Sequence, residues 1–144
     1  MNFSVKHRPS YSMLHVELGA GEKITAEAGA MVYMTPGIDM ETRFGSGLLS
    51  ALSKKFLGGE SLFINEFTAR NAGEYIGIAG PMVGDVQHYS LNGSLYLQAG
   101  AYLCSSPGVK IETKFGGIRS FFGGEGFFLL RATGAGDLFF SSYG

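Results

Sequence analysis

The sequence predicts an all-β protein, a sandwich or barrel of short strands built from internal repeats. The main observation is a repeat: residues 28–45 align without a gap with residues 99–116, which lie 71 positions later (99 minus 28). The second is composition, since 23 glycines favour many tight turns and 12 phenylalanines favour strands and sheet cores. An apolar fraction of 45% in 144 residues also predicts one folded domain with a substantial core.

Charge and cysteine content narrow the classes of protein. Lysine and arginine number 11 against 12 acidic residues, so the sequence lacks the basic excess typical of nucleic-acid binding, and nucleic acid is not an expected partner. A single cysteine, Cys104, excludes an internal disulfide and favours a reducing compartment, so we expect a cytoplasmic protein. Residues 1–9 contain no apolar run of signal-peptide length, and no window of about 18 apolar residues predicts a transmembrane helix.

The first half of the chain reads as a series of strands. After a first strand at 4–7, residues 13–18 alternate, with Leu14, Val16 and Leu18 on one face, which is typical of a half-buried strand. Turns at 19–21 and at Pro36-Gly37 then separate further strands, which we place at 23–27, 31–35 and 38–43.

Residues 47–57 interrupt the strands with a different period. Leu48, Leu49, Leu52 and Phe56 have helical spacing, so we predict a short amphipathic helix inserted into the first repeat only. Its apolar stripe is the candidate interaction surface of the sequence. The alternatives are packing on its own sandwich, a subunit contact or contact with a membrane surface, although two lysines are few for strong peripheral membrane attachment.

The second half repeats the first. The repeats extend over about 24–78 and 95–141 within a single domain, 1–144, and residues 58–60 match residues 123–125. Between the repeats we predict a strand at 85–90 followed by a hairpin turn at Asn92-Gly93, and residues 134–136 read as another tight turn. Because the chain stops just after an apolar strand, we expect a longer natural protein or family.

Two acidic residues hold equivalent places in the repeats. Glu60 and Glu125 each follow a Gly-Gly pair, and an acid at a fixed turn can accept bonds from backbone N–H groups. We therefore predict a structural role for both.

Patterns typical of catalysis are weak. His7, His15 and His88 are far apart and form no His-x-His pair, so no metal site is predicted. The sequence contains neither a nucleophile elbow nor a phosphate-binding loop, and Cys104 reads as a small buried hydrophobe. Glu41 and Glu112, which are equivalent in the repeats, are typical of a solvated strand face. We expect no cofactor and no enzymatic activity.

Three segments resemble one family over essentially the whole chain. Residues 59–69, with the sequence GESLFINEFTA, are the most specific, and residues 27–31 and 124–128 agree with them. Together they resemble the altered inheritance of mitochondria protein 24 family, which consists largely of uncharacterised prokaryotic proteins. The resemblance implies a double-stranded β-helix fold like that of the tryptophan RNA-binding attenuator protein, with internal repeats and often a trimer.

The family also bears on function. Its mitochondrial relative is associated with mitochondrial biogenesis and inner-membrane organisation, and no catalytic residues are established, so the resemblance implies none here. Members usually continue into a further β segment. We predict a non-enzymatic β-domain that acts through self-assembly, as a homo-oligomer, and through protein contact. The alternative is a small-molecule binding module with an apolar ligand between strands or subunits.

Overall fold

In the computed structural model, the structure describes residues 1–44, 63–81, 83–114 and 129–142. These residues form eleven strands and one 3-10 turn at Ala99–Ala101. In chain order the strands are β1 (Asn2–Lys6), β2 (Met13–Leu18), β3 (Lys23–Glu27), β4 (Met31–Met34), β5 (Ile38–Phe44), β6 (Phe63–Ala69), β7 (Glu74–Ile78), β8 (Asp85–Gln98), β9 (Tyr102–Ser105), β10 (Val109–Lys114) and β11 (Leu129–Ser142). The predicted all-β class is confirmed for the described residues, and the predicted helix at 47–57 lies outside them.

The strands form two sheets. A four-stranded sheet has the order β1-β2-β7-β4, and a seven-stranded sheet has the order β10-β11-β9-β3-β6-β5, with β8 paired to β11. All the pairings between named strands are antiparallel. The alternation in β2 acts as predicted, because Leu14, Val16 and Leu18 are buried on one face of the first sheet.

Two apolar clusters fill the interior. The first cluster combines residues of the first half of the chain with four from the second half, namely Val86, Leu103, Cys104 and Phe139. The second cluster is formed mainly by the second half of the chain. Its members are Ile64, Leu91, Leu97, Tyr102, Val109, Ile111, Leu130, Ala132 and Leu138. The second half of the chain therefore contributes to the core of the first half.

Two predicted turns are wrong. Asn92-Gly93 lies inside β8 rather than in a hairpin, and residues 134–136 lie inside β11. The two 14-residue strands pair with each other along their full length, with Asn92 opposite Ala135 and Gly93 opposite Gly134. Glycines at these positions adopt positive φ within a continuous ladder, so long-range pairing overrides the local turn preference.

An ion pair between Arg8 and Asp85 connects the segment that follows β1 to the start of β8. Arg8 Nη2 lies 2.8 Å from Asp85 Oδ2, and the Ser12 hydroxyl donates to Asp85 Oδ1 at 2.6 Å. Hydrogen bonds from Arg8 and Ser12 lower the pKa of Asp85 from 3.8 to about 2.

We expect the Asp85→Asn variant to have a melting temperature a few degrees lower at pH 7. Because the folded-state pKa lies below the unfolded value, the ionised carboxylate stabilises the fold above about pH 4, and this contribution is lost as the pH falls towards 2. Thermal melts of both proteins from pH 7 to pH 2 test this. Melting temperatures that differ equally at all pH values would contradict the assignment.

Candidate interaction surface

The residues that the sequence predicts as an interaction surface and as structural turn acids all lie outside the described ranges. They are Leu48, Leu49, Leu52, Phe56, Glu60 and Glu125. The interaction role of the first four and the turn role of the last two therefore stay predictions.

An aromatic group occupies the outer face of the four-stranded sheet. His15 on β2, Tyr33 on β4 and Tyr75 on β7 are brought together by strand pairing. His15 Nδ1 and the Tyr33 hydroxyl are 2.7 Å apart and share a hydrogen bond, and the ring centroids of His15 and Tyr75 are 5.0 Å apart. The Tyr33 and Tyr75 rings meet edge to face, with centroids 6.1 Å apart. We call these three residues, together with Val32, the aromatic surface.

Gly77 makes room for this arrangement. It lies opposite His15 on one side and opposite Tyr33 on the other, and a Cβ at this position would collide with the Tyr33 ring. The missing side chain lets the tyrosine ring lie flat across β7. The Tyr33 side chain is thus held against the sheet rather than extended into solvent.

Val32 gives the surface an exposed apolar edge. The pairing of β4 with β7 shifts register between Met31 and Tyr33, which is a β-bulge centred on Val32. Val32 is 58% exposed and Tyr75 is 40% exposed. Among the described strands, β4 pairs only with β7, so its other edge is left without a described partner. Edge strands with exposed apolar side chains are typical pairing sites for another chain.

A second histidine group lies in the other half of the chain. His88 Nε2 is 2.8 Å from Asp137 Oδ1, and the His88 ring packs at a tilt against Phe3 and Phe139, with centroid distances of 4.8 and 5.0 Å. The Ser106 hydroxyl accepts a hydrogen bond from the Asp137 backbone N–H at 2.9 Å, but within the described part of the chain no hydroxyl or thiol bonds to the His88 ring or to the Asp137 carboxylate. The geometry is therefore that of a hydrogen-bonded His–Asp pair packed against two aromatic rings, with no described hydroxyl or thiol bonded to the imidazole or the carboxylate.

The other chemically reactive groups are buried or solvated. Cys104 is a free, fully buried thiol, as the sequence predicts, and burial raises its pKa. Glu41 is well exposed, 3.6 Å from Arg43, which agrees with a solvated strand face. In the described ranges, no three His, Cys, Asp or Glu side chains are grouped so as to hold a metal ion.

A cavity of about 260 Å³ opens at one end of the four-stranded sheet. It is lined by Met1, Asn2, Glu17, Leu18, Gly19, Glu22 and Gly73. The Gly19 N–H and the Met1 ammonium both bond to Glu22 and lower the pKa of that carboxyl. With two carboxylates in its wall, this cavity differs from the apolar pocket that a ligand-binding module requires.

None of the helices in the described ranges has the length and apolarity needed to cross a membrane. The described helical structure is limited to the 3-10 turn at Ala99–Ala101.

Comparison with known proteins decides the family. Residues 3–144 match the model of the family described as "Mitochondrial biogenesis AIM24". The chain belongs to the AIM24 family. An uncharacterised protein of Streptococcus pyogenes serotype M6 is 28% identical over 153 residues, covering 100% of this chain and 61% of that protein. The resemblance predicted from residues 59–69 is therefore confirmed.

A solved structure supports the fold. The crystal structure of a Streptococcus pyogenes protein superposes with a TM-score of 0.75 at 22% identity, covering 99% of this chain and 65% of that one. At this identity the likeness establishes the fold alone. This AIM24-family chain spans less than two thirds of the length of both streptococcal proteins.

The sequence did not predict the aromatic surface. The alternation of residues 13–18 leaves His15 on the face opposite Leu14, Val16 and Leu18, and the structure places that side chain half-buried on the outer face. The tyrosines carried no signal of their own, because Tyr33 and Tyr75 are 42 positions apart (75 minus 33) and meet only through the β4–β7 pairing. A usable signal was Gly77, a glycine between Ile76 and Ile78 in a strand, because a glycine inside a strand often marks the close approach of another group.

Proposed function

We propose that this AIM24-family domain is non-enzymatic and acts through self-assembly and protein contact. The observation that carries the proposal is the aromatic surface together with the open edge of β4. Val32 and Tyr75 are exposed there, and tyrosine is enriched at protein interfaces because it buries a large apolar ring while keeping a polar hydroxyl. A sheet edge adds backbone N–H and C=O groups that a further strand can pair.

The non-enzymatic part of the proposal draws on the reactive groups of the described residues. The one thiol is buried, no described hydroxyl or thiol bonds to the His88 ring or the Asp137 carboxylate, and His15 bonds to a tyrosine. Each of these groups has a structural explanation in packing or in hydrogen bonding. None of them requires a substrate to explain its position.

We further propose that the two halves of the chain are copies of one unit. Support comes from the register of strand pairing. The β5–β6 pairs from Ile38–Ala69 to Arg43–Ile64 correspond one by one to the β10–β11 pairs from Val109–Gly134 to Lys114–Leu129. The five β3–β6 pairs correspond in the same way to the pairs between residues 94–98 of β8 and residues 129–133 of β11. Two copies of one unit offer two copies of each surface.

The Val32→Glu variant tests the proposed function. A charge at this exposed position is expected to dissociate the assembly, because an unpaired carboxylate would have to be desolvated at the contact. Sedimentation velocity over a range of concentrations should show an oligomer for the parent chain and a shift of at least about tenfold in the dissociation constant for the variant.

A matched control is available elsewhere on the surface. Val83 is 59% exposed, almost the same fraction as Val32, and lies outside the aromatic surface. The Val83→Glu variant should assemble like the parent chain. A parent chain that is monomeric at every concentration would refute the proposal, and equal weakening by both variants would place the contact elsewhere.

A further inference from the structure

We infer that a second copy of this chain pairs with the free edge of β4, through residues 94–98 of β8, in the register of a junction that already exists inside the chain. This inference rests on the proposed self-assembly. It adds which strands of the two copies pair and in which register. The contact joins two different edges, one from each copy, and is therefore head-to-tail.

The internal junction joins β3 to β9. Thr25 lies opposite Ser105 and Ala26 lies opposite Cys104 in an antiparallel pair. The Thr25 hydroxyl donates to the Ser105 carbonyl oxygen at 3.1 Å. This is where the second half of the chain docks on the first, because Cys104 and its neighbour Leu103 complete the first apolar cluster.

Both sides of this junction have a second copy in the chain. The counterpart of β9 (Tyr102–Ser105) is β4 (Met31–Met34), which lies 71 positions earlier and has the same bounds. Both strands also carry a bulge at the matching residue, Leu103 in β9 and Val32 in β4. The counterpart of β3 (Lys23–Glu27) is residues 94–98, which lie 71 positions later. These residues pair with β11 in the same way that β3 pairs with β6.

In the internal junction, β3 and β9 pair with each other. Their counterparts, residues 94–98 and β4, have no described partner on the corresponding edges. Leu103 is 1% exposed, whereas its counterpart Val32 is 58% exposed. Thr25 is half-buried, whereas its counterpart Tyr96 is 53% exposed. Among the described strands, residues 94–98 pair only with β11, and β4 pairs only with β7. Among the described strands, each chain therefore has one complete junction, between β3 and β9, and one further copy of each of these two strands whose corresponding edge has no described partner.

The aromatic surface extends this equivalence beyond the strand edges. Gly77 lies opposite His15 and Tyr33, and Phe139 lies opposite His88 and Cys104. Phe139 is fully buried against the first apolar cluster. The corresponding face of the first half is the aromatic surface, where Tyr33 covers Gly77. A second copy docked at β4 would cover this face as the first half covers Phe139.

The sequences of the free edges support pairing. Edge strands are commonly protected by charged residues, and the terminal strands β1, β5 and β10 all carry them. Neither β4, with the sequence MVYM, nor residues 94–98, with the sequence SLYLQ, contains a charge. Pairing them would oppose Met34 to Tyr96 and Tyr33 to Leu97 without burying an ion.

Cysteine cross-linking tests the register. We would prepare Met34→Cys and Tyr96→Cys as separate single variants, since directly opposed residues in an antiparallel pair approach closely enough for a disulfide. The native Cys104 is fully buried and should not compete. Under mild oxidation, mixing the two variants should give a cross-linked heterodimer, and each variant alone should give at least about tenfold less. Glu17 is exposed on β2, away from the proposed edge, so the Glu17→Cys variant mixed with Tyr96→Cys is the control and should not cross-link.

Three results would overturn the inference. An oligomer that fails to cross-link in the mixture leaves self-assembly intact but removes this interface. A cross-linked dimer of Met34→Cys alone indicates a symmetric β4–β4 contact. A chain that is monomeric and does not cross-link removes both proposals.

Charge complementation provides a second measurement that does not depend on oxidation. Met34→Lys and Tyr96→Glu should each weaken association by at least about tenfold, and mixing them should restore a heterodimer by pairing the two charges. Circular dichroism establishes that each variant is folded. Failure of folded variants to recover association on mixing would overturn the proposed register.

Discussion

Replacing Phe139 with alanine is expected to destabilise the fold by about 3–5 kcal/mol. The side chain is fully buried in the first apolar cluster and meets Phe3 edge to face at a centroid distance of 4.9 Å. Truncation removes the ring and leaves a cavity between the two halves of the chain. Since about 1 kcal/mol shifts the melting temperature of a domain of this size by roughly 3–4 °C, thermal unfolding should occur about 10–20 °C lower.

The neighbouring phenylalanine is the control. Phe140 is only partly buried and packs against the second cluster, so the Phe140→Ala variant should lose about half as much stability or less. Urea unfolding of both variants measures the difference. Equal losses would contradict the assignment of Phe139 to the contact between the halves.

The Gly134→Ala variant is expected to lose about 3–4 kcal/mol. Gly134 has a φ of 116°, which alanine adopts only with strain of about 1–3 kcal/mol. A Cβ at this position would also collide with the Gly108 carbonyl oxygen, which belongs to the backbone and cannot rotate away. The Gly108 carbonyl accepts a hydrogen bond from the Ala135 N–H of β11 at 3.2 Å, so displacing the carbonyl would weaken this hydrogen bond as well.

Gly100 provides the matched control. It lies in the 3-10 turn, its φ is not in the positive region, and a Cβ there meets no atom within 4 Å. The Gly100→Ala variant should change stability by less than about 0.5 kcal/mol. Urea unfolding measures the stability of both variants. A comparable loss in both would contradict the claim that the positive φ of Gly134 and its close approach to the Gly108 carbonyl cause the loss.

The strand positions were predictable where local patterns agree with pairing. Residues 13–18 and 23–27 were predicted with the observed bounds, because alternation and flanking turns both indicate strands. Asn92-Gly93 was misread because its turn preference is local, whereas the ladder between β8 and β11 runs through it over 14 pairs. Such a ladder depends on a partner about 40 residues away, which a local window does not contain.

The candidate surface was harder to predict than the strands. The sequence directed attention to the stripe of Leu48, Leu49, Leu52 and Phe56, which lies outside the described residues. The aromatic surface depends on the antiparallel register of β4 and β7, and the absence of a side chain at Gly77 matters only once that register is known. The buried state of Cys104 was predictable because a free cysteine behaves as a small hydrophobe and Tyr102 and Leu103 precede it in the same strand.

Hydrogen exchange of backbone amides as a function of protein concentration tests the central claim most directly. Self-assembly through β4 predicts that amides of Met31–Met34 and of residues 94–98 become protected as the concentration rises. Amides of the charged edge strands β5 and β10 should exchange at an unchanged rate. Exchange in β4 that is independent of concentration while an oligomer is present would contradict the account.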